Sequence, residues 1–412
     1  MKIAHLAYSD GGGGAFKAAY RIHKSLRQLG QESSMLVSKR VGNDPDVYDS
    51  GSALGRLWGQ TATYLDILPW HLMKVPRGDF SSLSWVSSGP LGKLETLRPD
   101  IIQLHWVCAG FMTIEQIGKL NTPVVWRLAD MWALAGAEHY VGDDARYRQG
   151  YRRDNRPADE KGVDLNRWAW TRKRKAYAKL DNLTIVTPSH WLANCARESV
   201  LLKNRRIEVI PTGQDIEAFH PIPKPVAREI LRLPQTGKFI MTASMGLDEK
   251  RKGVGLLLQA LELLKGNGYQ LLLLGDPPRH APDCPMPVHY LGRLQDDVAL
   301  ALAYSAADVF VAASVEENLA NTVIEAMACA VPCVAFAIGG MPDIIRPACN
   351  GYLAQPFLIE DLARGIETVL ESGEAYARLA SEARLTVEQG FSEAGQARRY
   401  LSLYEELLVA NA

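Results

Sequence analysis

The stretch SVEENLANTVIEAMACAVP, residues 314–332, places two glutamates, Glu317 and Glu325, eight positions apart. A polar run separates them, and an Ala/Met-rich apolar segment follows as far as Pro332. Its flanks decide the fold. DVFVA (308–312) before it and PCVAFA (332–337) after it are short, continuously apolar runs, as in strands buried on both faces of a parallel sheet. Strand, polar turn, a helix from near Asn321 and a second strand make one step of an α/β layer. The helix start, and with it both carboxylates, falls at the carboxyl edge of that sheet, where open α/β folds bind ligands.

The same step recurs through the chain. KFIMTAS (238–244), a helix over 253–265, YQLLLLG (269–275), a strand at 287–291 and a helix over 296–306 lead up to the opening stretch. An earlier series starts with KIAHLAYS (2–9), which runs into Asp10 and the glycines Gly11 to Gly14. Ala18, Ala19, Ile22, Leu26 and Leu29 then recur at helical spacing up to Gly30. SSMLVS (33–38), DIIQLHWV (100–107), PVVWRLAD (123–130), LTIVTPS (183–189) and RIEVIPTG (206–213) supply further strands. Residues 140–182 read as irregular and basic, and HPIPKPVA (220–227), with three prolines, reads as a linker. The predicted organisation is two doubly wound, Rossmann-like α/β domains facing across a cleft, 1–215 and 216–390. A C-terminal helix (391–412) is predicted to pack back on the first.

Bulk composition agrees with a two-domain globular protein. At 412 residues the chain exceeds one ordinary core and suits two domains of roughly 200 residues. Lys and Arg number 46, Asp and Glu 46, so net charge gives a nucleic-acid partner no support. Six cysteines without a CxxC pair or a His-linked spacing read as reduced thiols of a cytoplasmic protein, with no metal site. The N-terminal segment lacks the apolar core of a signal peptide, and no window of 18 apolar residues predicts a membrane span.

Three constellations carry chemistry. The glycine run leaves bare backbone between strand and helix, where a phosphate can approach a helix N-terminus. It is neither GxGxxG with a distant acid nor a Walker loop, so dinucleotide binding is disfavoured. Arg251 and Lys252 precede the helix that starts at 253 and suit a diphosphate whose leaving charge must be neutralised. Backbone N–H groups from Leu319 to Val323, at the start of the helix near Asn321, would face the same phosphates. Glu325 can accept from a ribose diol and Glu317 from another polyol; both would be ionised acceptors, which suits acid/base chemistry poorly.

Glu317-x7-Glu325 continued by AMACAVPCVAFAIGGMPDII, with GGGGAFKAAYRIHKSL, VVWRLADMW, TPSHWLANCARES, RKGVGLLLQAL, YLGRL and SAADVFVAAS, resembles glycosyltransferase family 4. Those enzymes are retaining GT-B glycosyltransferases, and the likeness extends over nearly the whole chain, with a bacterial polysaccharide-biosynthesis flavour. The resemblance implies an NDP-sugar donor and a glycan or polyprenyl-linked acceptor. No metal cofactor is expected, because a helix dipole with Arg and Lys can do the charge work. It assigns catalysis to Glu317, Arg251 and Lys252. Donor contacts fall on Gly12, Gly13, Gly14, Asn318, Leu319, Ala320, Asn321, Thr322 and Glu325, with Leu291 and Arg293 of YLGRL near the base.

Three positions depart from the family pattern. Leu247 stands where relatives carry Arg, and Ala330 where they carry Gly. Ala129 replaces a His before Asp-Met-Trp, and losing such a contact costs about 10²–10³ in rate. His105, Asp130 and His139 are the candidates to compensate. An NDP-sugar epimerase on the same fold stays open as an alternative because its donor site would look similar, and Ala129 keeps open a weak or inactive sugar-nucleotide-binding protein. RWAWTRKRKAYAKL (167–180) raises the expectation of peripheral contact with the inner membrane face, against a solvated helix with its aromatics turned inward.

Overall fold

The computed structural model describes residues 1–73, 81–246, 250–276, 284–294, 296–371 and 373–410. Two α/β units account for the chain: one comprises Met1–Pro211 with Gln396–Ala412, the other Thr212–Gly395.

The first unit is built on seven parallel strands: β1 (Lys2–Ser9), β2 (Glu32–Lys39), β3 (Val47–Tyr48), β4 (Ile101–Leu104), β5 (Val124–Arg127), β6 (Leu183–Thr187) and β7 (Arg206–Val209). Their order is β3-β2-β1-β4-β5-β6-β7, so the winding reverses between β1 and β4. β4, β5 and β6 are buried at every residue because helices cover both faces. On one face the C-terminal helix, Glu393–Ala410, lays Tyr400, Leu403 and Tyr404 against Ile3, Ile22, Leu26, Val125 and Val186. Gln396 Nε2 donates to Pro211 O at 2.7 Å and ties that helix to the end of β7.

The second unit has six parallel strands: β8 (Lys238–Gly246), β9 (Tyr269–Asp276), β10 (Val288–Gly292), β11 (Val309–Ala312), β12 (Cys333–Phe336) and β13 (Gly351–Ala354). The order β10-β9-β8-β11-β12-β13 puts its reversal between β8 and β11. In each unit, therefore, the crevice that open α/β sheets use for ligands lies where the chain leaves the first strand of its series.

The structure departs from the sequence-level reading in three places. Residues 165–177 form a helix inside the segment read as irregular, capped by Asp164, which accepts from Arg167 N at 2.8 Å. Lys224–Ile230 is helical although three prolines suggested a linker; Pro225 stands in the first turn, where no N–H is needed. Between β3 and β4 lies α2 (Ala53–Leu72), a 20-residue helix that the pattern did not announce. No described helix is long and apolar enough to cross a membrane.

Candidate functional site

In the second unit, β11 ends at Ala312, and residues 313–320 carry the chain to the helix Asn321–Ala328. Glu317 is buried on this loop. Its Oε2 accepts from Lys252 Nζ at 2.7 Å and from Arg251 Nη1 at 3.3 Å, while the same Arg251 nitrogen donates to Glu316 O at 3.2 Å. Burial would push the Glu317 carboxyl up, but the two cations outweigh it and hold the group below the usual carboxylate range.

The backbone fixes this contact. Val315 N donates to Arg251 O at 2.8 Å, joining the short 3₁₀ turn Lys250–Lys252 to the loop. Gly253 follows at φ +63, and a Cβ there would lie 1.9 Å from Ala313 O. Gly339, at φ +50, approaches as closely from the other side, with a Cβ position 1.8 Å from Glu317 O. Only glycine fits either place.

Glu325 lies one turn into the helix, also buried, and its Oε2 accepts from Tyr304 Oη at 2.9 Å. Nothing in the sequence marked Tyr304; it sits 21 residues upstream on the neighbouring helix Asp297–Ala306. Of the backbone N–H groups expected to face outward, Val323 N is instead closed onto Ala320 O at 3.1 Å. Those of Leu319, Ala320 and Thr322 make no hydrogen bond among the described residues. Asn318 and Asn321 flank them. Leu291 and Arg293 lie at the end of β10 and just past it, and Arg293 pairs with Asp276 at 2.7 Å near the end of β9. Leu247 falls outside the described residues.

In the first unit the glycine loop opens α1 (Gly14–Gln28). Gly12 has φ +88 and open space where a Cβ would stand, and Gly13 is the N-cap in an extended conformation. Asp10, just before, is spent on structure: its carboxylate accepts from Val41 N at 2.6 Å and Gly42 N at 2.9 Å.

At the end of β5, Ala129 lines a small pocket with His105, Trp106, Asp130 and Trp132. Asp130 Oδ2 accepts from His139 Nδ1 at 2.7 Å and Trp106 Nε1 at 3.0 Å, and Oδ1 accepts from Trp132 N at 2.9 Å. Burial raises the pKa of this carboxyl, yet the neighbouring imidazole and the three donors bring it below its ordinary value. His139 Nε2 faces Ser82 Oγ at 3.1 Å, so both ring nitrogens are engaged. His105 is fully inside the sheet, its Nε2 3.0 Å from His5 Nδ1, and burial followed by nearby Arg127 pushes its pKa well down.

The basic helix 165–177 turns much of its charge inward. Lys173 is completely buried, donates to the carbonyls of Trp132, Gly136 and Ala135, and lies 3.6 Å from the centre of the Trp132 ring. Burial pushes its pKa down to about 7. Arg172 pairs with Glu115 at 2.7 Å and donates to Leu83 O and Ser84 O. Trp170 is buried, whereas Trp168 stays partly exposed beneath the Arg172 guanidinium. Glu138, Asp144 and Glu160 lie close enough together to hold an ion, but Arg146 already pairs with all three.

Residues 224–386 match the family described as glycosyl transferases group 1. A D-inositol 3-phosphate glycosyltransferase of Mycobacteroides abscessus is 31% identical over 212 residues, which is 48% of this chain and 46% of that protein. The chain thus spans about half the length of the curated relatives it matches. Sucrose-phosphate synthase from Thermosynechococcus elongatus superposes with a TM-score of 0.67 at 19% identity, over 99% of both chains. Anabaena HepE, solved in complex with UDP and glucose, gives 0.61 at 18% identity, over 98% of this chain and 99% of its own. The fold is GT-B, and residues 224–386 match the group 1 glycosyltransferases, the likeness that the motifs led one to expect.

Proposed function

We propose that the chain transfers a sugar from an NDP-sugar to a glycan or lipid-linked glycan acceptor, retaining the anomeric configuration, as a step of polysaccharide assembly. The observation that carries this reading is the Arg251–Lys252–Glu317 cluster at the β8/β11 reversal. Both cations bind one oxygen of Glu317, which leaves Oε1 to accept hydrogen bonds from sugar hydroxyls. The same cations stand ready to neutralise the charge that builds on a departing diphosphate, helped by the N–H groups of Leu319, Ala320 and Thr322. Tyr304 donates to Glu325 and orients its carboxylate, which in this reading meets a ribose diol. In this reading the cations and the helix start do the charge work, so no step is assigned to a metal ion. HepE was solved with UDP and glucose, which makes UDP-sugars the first donors to test. Membrane contact through 167–180 draws little support from a helix whose Lys173 is buried and whose Arg172 is paired.

The test is incubation with a panel of NDP-sugars, with and without lipid-linked acceptors, following NDP release and the anomeric configuration of the product. Acceptor-dependent release with retained configuration supports the proposal. NDP binding without turnover of any donor would sink the enzymatic reading, and a changed sugar formed without acceptor would favour an epimerase.

Ala129 favours a second reading, a binder of low activity. His139 spends both ring nitrogens on Asp130 and Ser82, and His105 is directed into the core, so neither imidazole is available to replace the missing one. Ala129→His is therefore expected to raise kcat by about tenfold or more in an active preparation. An unchanged rate would assign that work to another group.

A further inference from the structure

Helix α2 lies outside the site described above and presents an unusual surface. Gly59, Ala62, Asp66 and Trp70 form its buried face; a Cβ at Gly59 would come within 2.9 Å of Ser38 Oγ, so α2 packs closely on β2. The opposite face carries Leu54, Leu57, Thr61, Tyr64, Leu68 and Leu72, spaced three or four residues apart like one side of a packed helix pair. Leu54 is 80% exposed, Tyr64 73% and Leu72 71%, with Leu57, Trp58, Met73 and Trp85 also open. Trp58 Nε1 donates to Ser87 O and Trp85 Nε1 to Leu65 O, both at 2.9 Å, so the indole N–H groups are already satisfied and the hydrocarbon faces point outward.

Size and charge select the occupant. Weighted by exposure, these seven large side chains present on the order of 800 Å² of surface, above the roughly 300–600 Å² patch of an ordinary monomer and close to one partner's share of a standard interface. Arg56 and Asp66 are the only charged residues from 53 to 72, and Asp66 is buried on backbone N–H groups of Leu83 and Trp85. A face with one charge near its end can meet a copy of itself across a two-fold axis without like-charge repulsion. An anionic bilayer would call for a rim of cations that this helix does not supply.

We propose that α2 is the centre of a two-fold interface in which it packs antiparallel against α2 of a second copy of this chain. Sedimentation velocity of the full chain over about 1–100 μM tests it, since a standard-sized interface gives affinities of this order or tighter. The wild type is expected to sediment as a dimer. The exposed double variant Leu57→Asp/Tyr64→Asp is expected to dissociate about 100-fold more readily while keeping its circular dichroism spectrum, because each copy then buries like charges against the other. If that variant loses its fold, Leu54→Gln/Leu72→Gln replaces it. A wild type that stays monomeric throughout, or a dimer unmoved by the folded variant, overturns the proposal. A parallel flotation with vesicles of three parts neutral to one part anionic phospholipid separates the alternative: flotation of monomers, abolished by the same variant, would give this face to lipid.

Discussion

Glu317 holds two cations with a single oxygen, and that division makes a sharp prediction. If the proposed transfer reaction holds, Glu317→Gln is expected to lower kcat by about 10²–10³ while leaving NDP affinity unchanged or tighter, because the proposed transition-state contact would go while Arg251 and Lys252, released from Glu317, would turn to the diphosphate. Steady-state kinetics beside calorimetric titration with NDP would show it; a parallel loss of NDP binding would contradict it. The spacing of the two glutamates was legible from the sequence, since it is local. Their partners were not: Lys252 lies 65 residues from Glu317, and Tyr304 sits on another helix from Glu325. Asp66 offers a second test. Burial, stronger than the backbone donors opposing it, raises its pKa to about 6 from an ordinary 3.8. The protonated form is thus the one the fold prefers: its contribution is complete below pH 3.8 and is lost as pH rises through 6. Asp66→Asn should remove this pH dependence, up to about 3 kcal/mol between pH 4 and 6, from urea melts.

At the scale of elements, the strands were readable because runs such as VFVA and CVAF are buried on both faces and carry no competing pattern. Helix α2 escaped for the opposite reason: it is apolar on its outer as well as its inner face, so no stripe stands out. Helix 165–177 was hidden by its charge, because a buried lysine breaks the apolar period even when its ammonium is fully bonded. The turn at 250–253 shows how little freedom the elements around Glu317 have. Gly253→Ala would set a methyl against Ala313 O at a left-handed φ, and is expected to cost at least about 2 kcal/mol. It should weaken the second unit and NDP binding together; an unaltered urea midpoint would show that the loop can yield.

For the whole molecule, the units differ in how they are closed. Thr212–Gly395 is continuous, whereas the first unit needs Tyr400, Leu403 and Tyr404 to cover Ile3, Ile22 and Leu26. Truncation after Gly395 is expected to lower the melting transition of the first unit by more than about 10 °C and to leave that of the second in place. Calorimetry with unit-specific tryptophan fluorescence would resolve the two, all nine tryptophans lying before residue 212. The second unit is in effect inserted within the first, and this sets an order of events on the ribosome. The seven-stranded sheet is synthesised first but must wait for a helix at the far end of the chain. At about 5–20 residues per second the intervening unit takes roughly 10–40 s to emerge. During that interval the apolar face around Ile3 and Ile22 stands open, so the protein's exposure to chaperones is set by the length of the domain that separates two halves of one core.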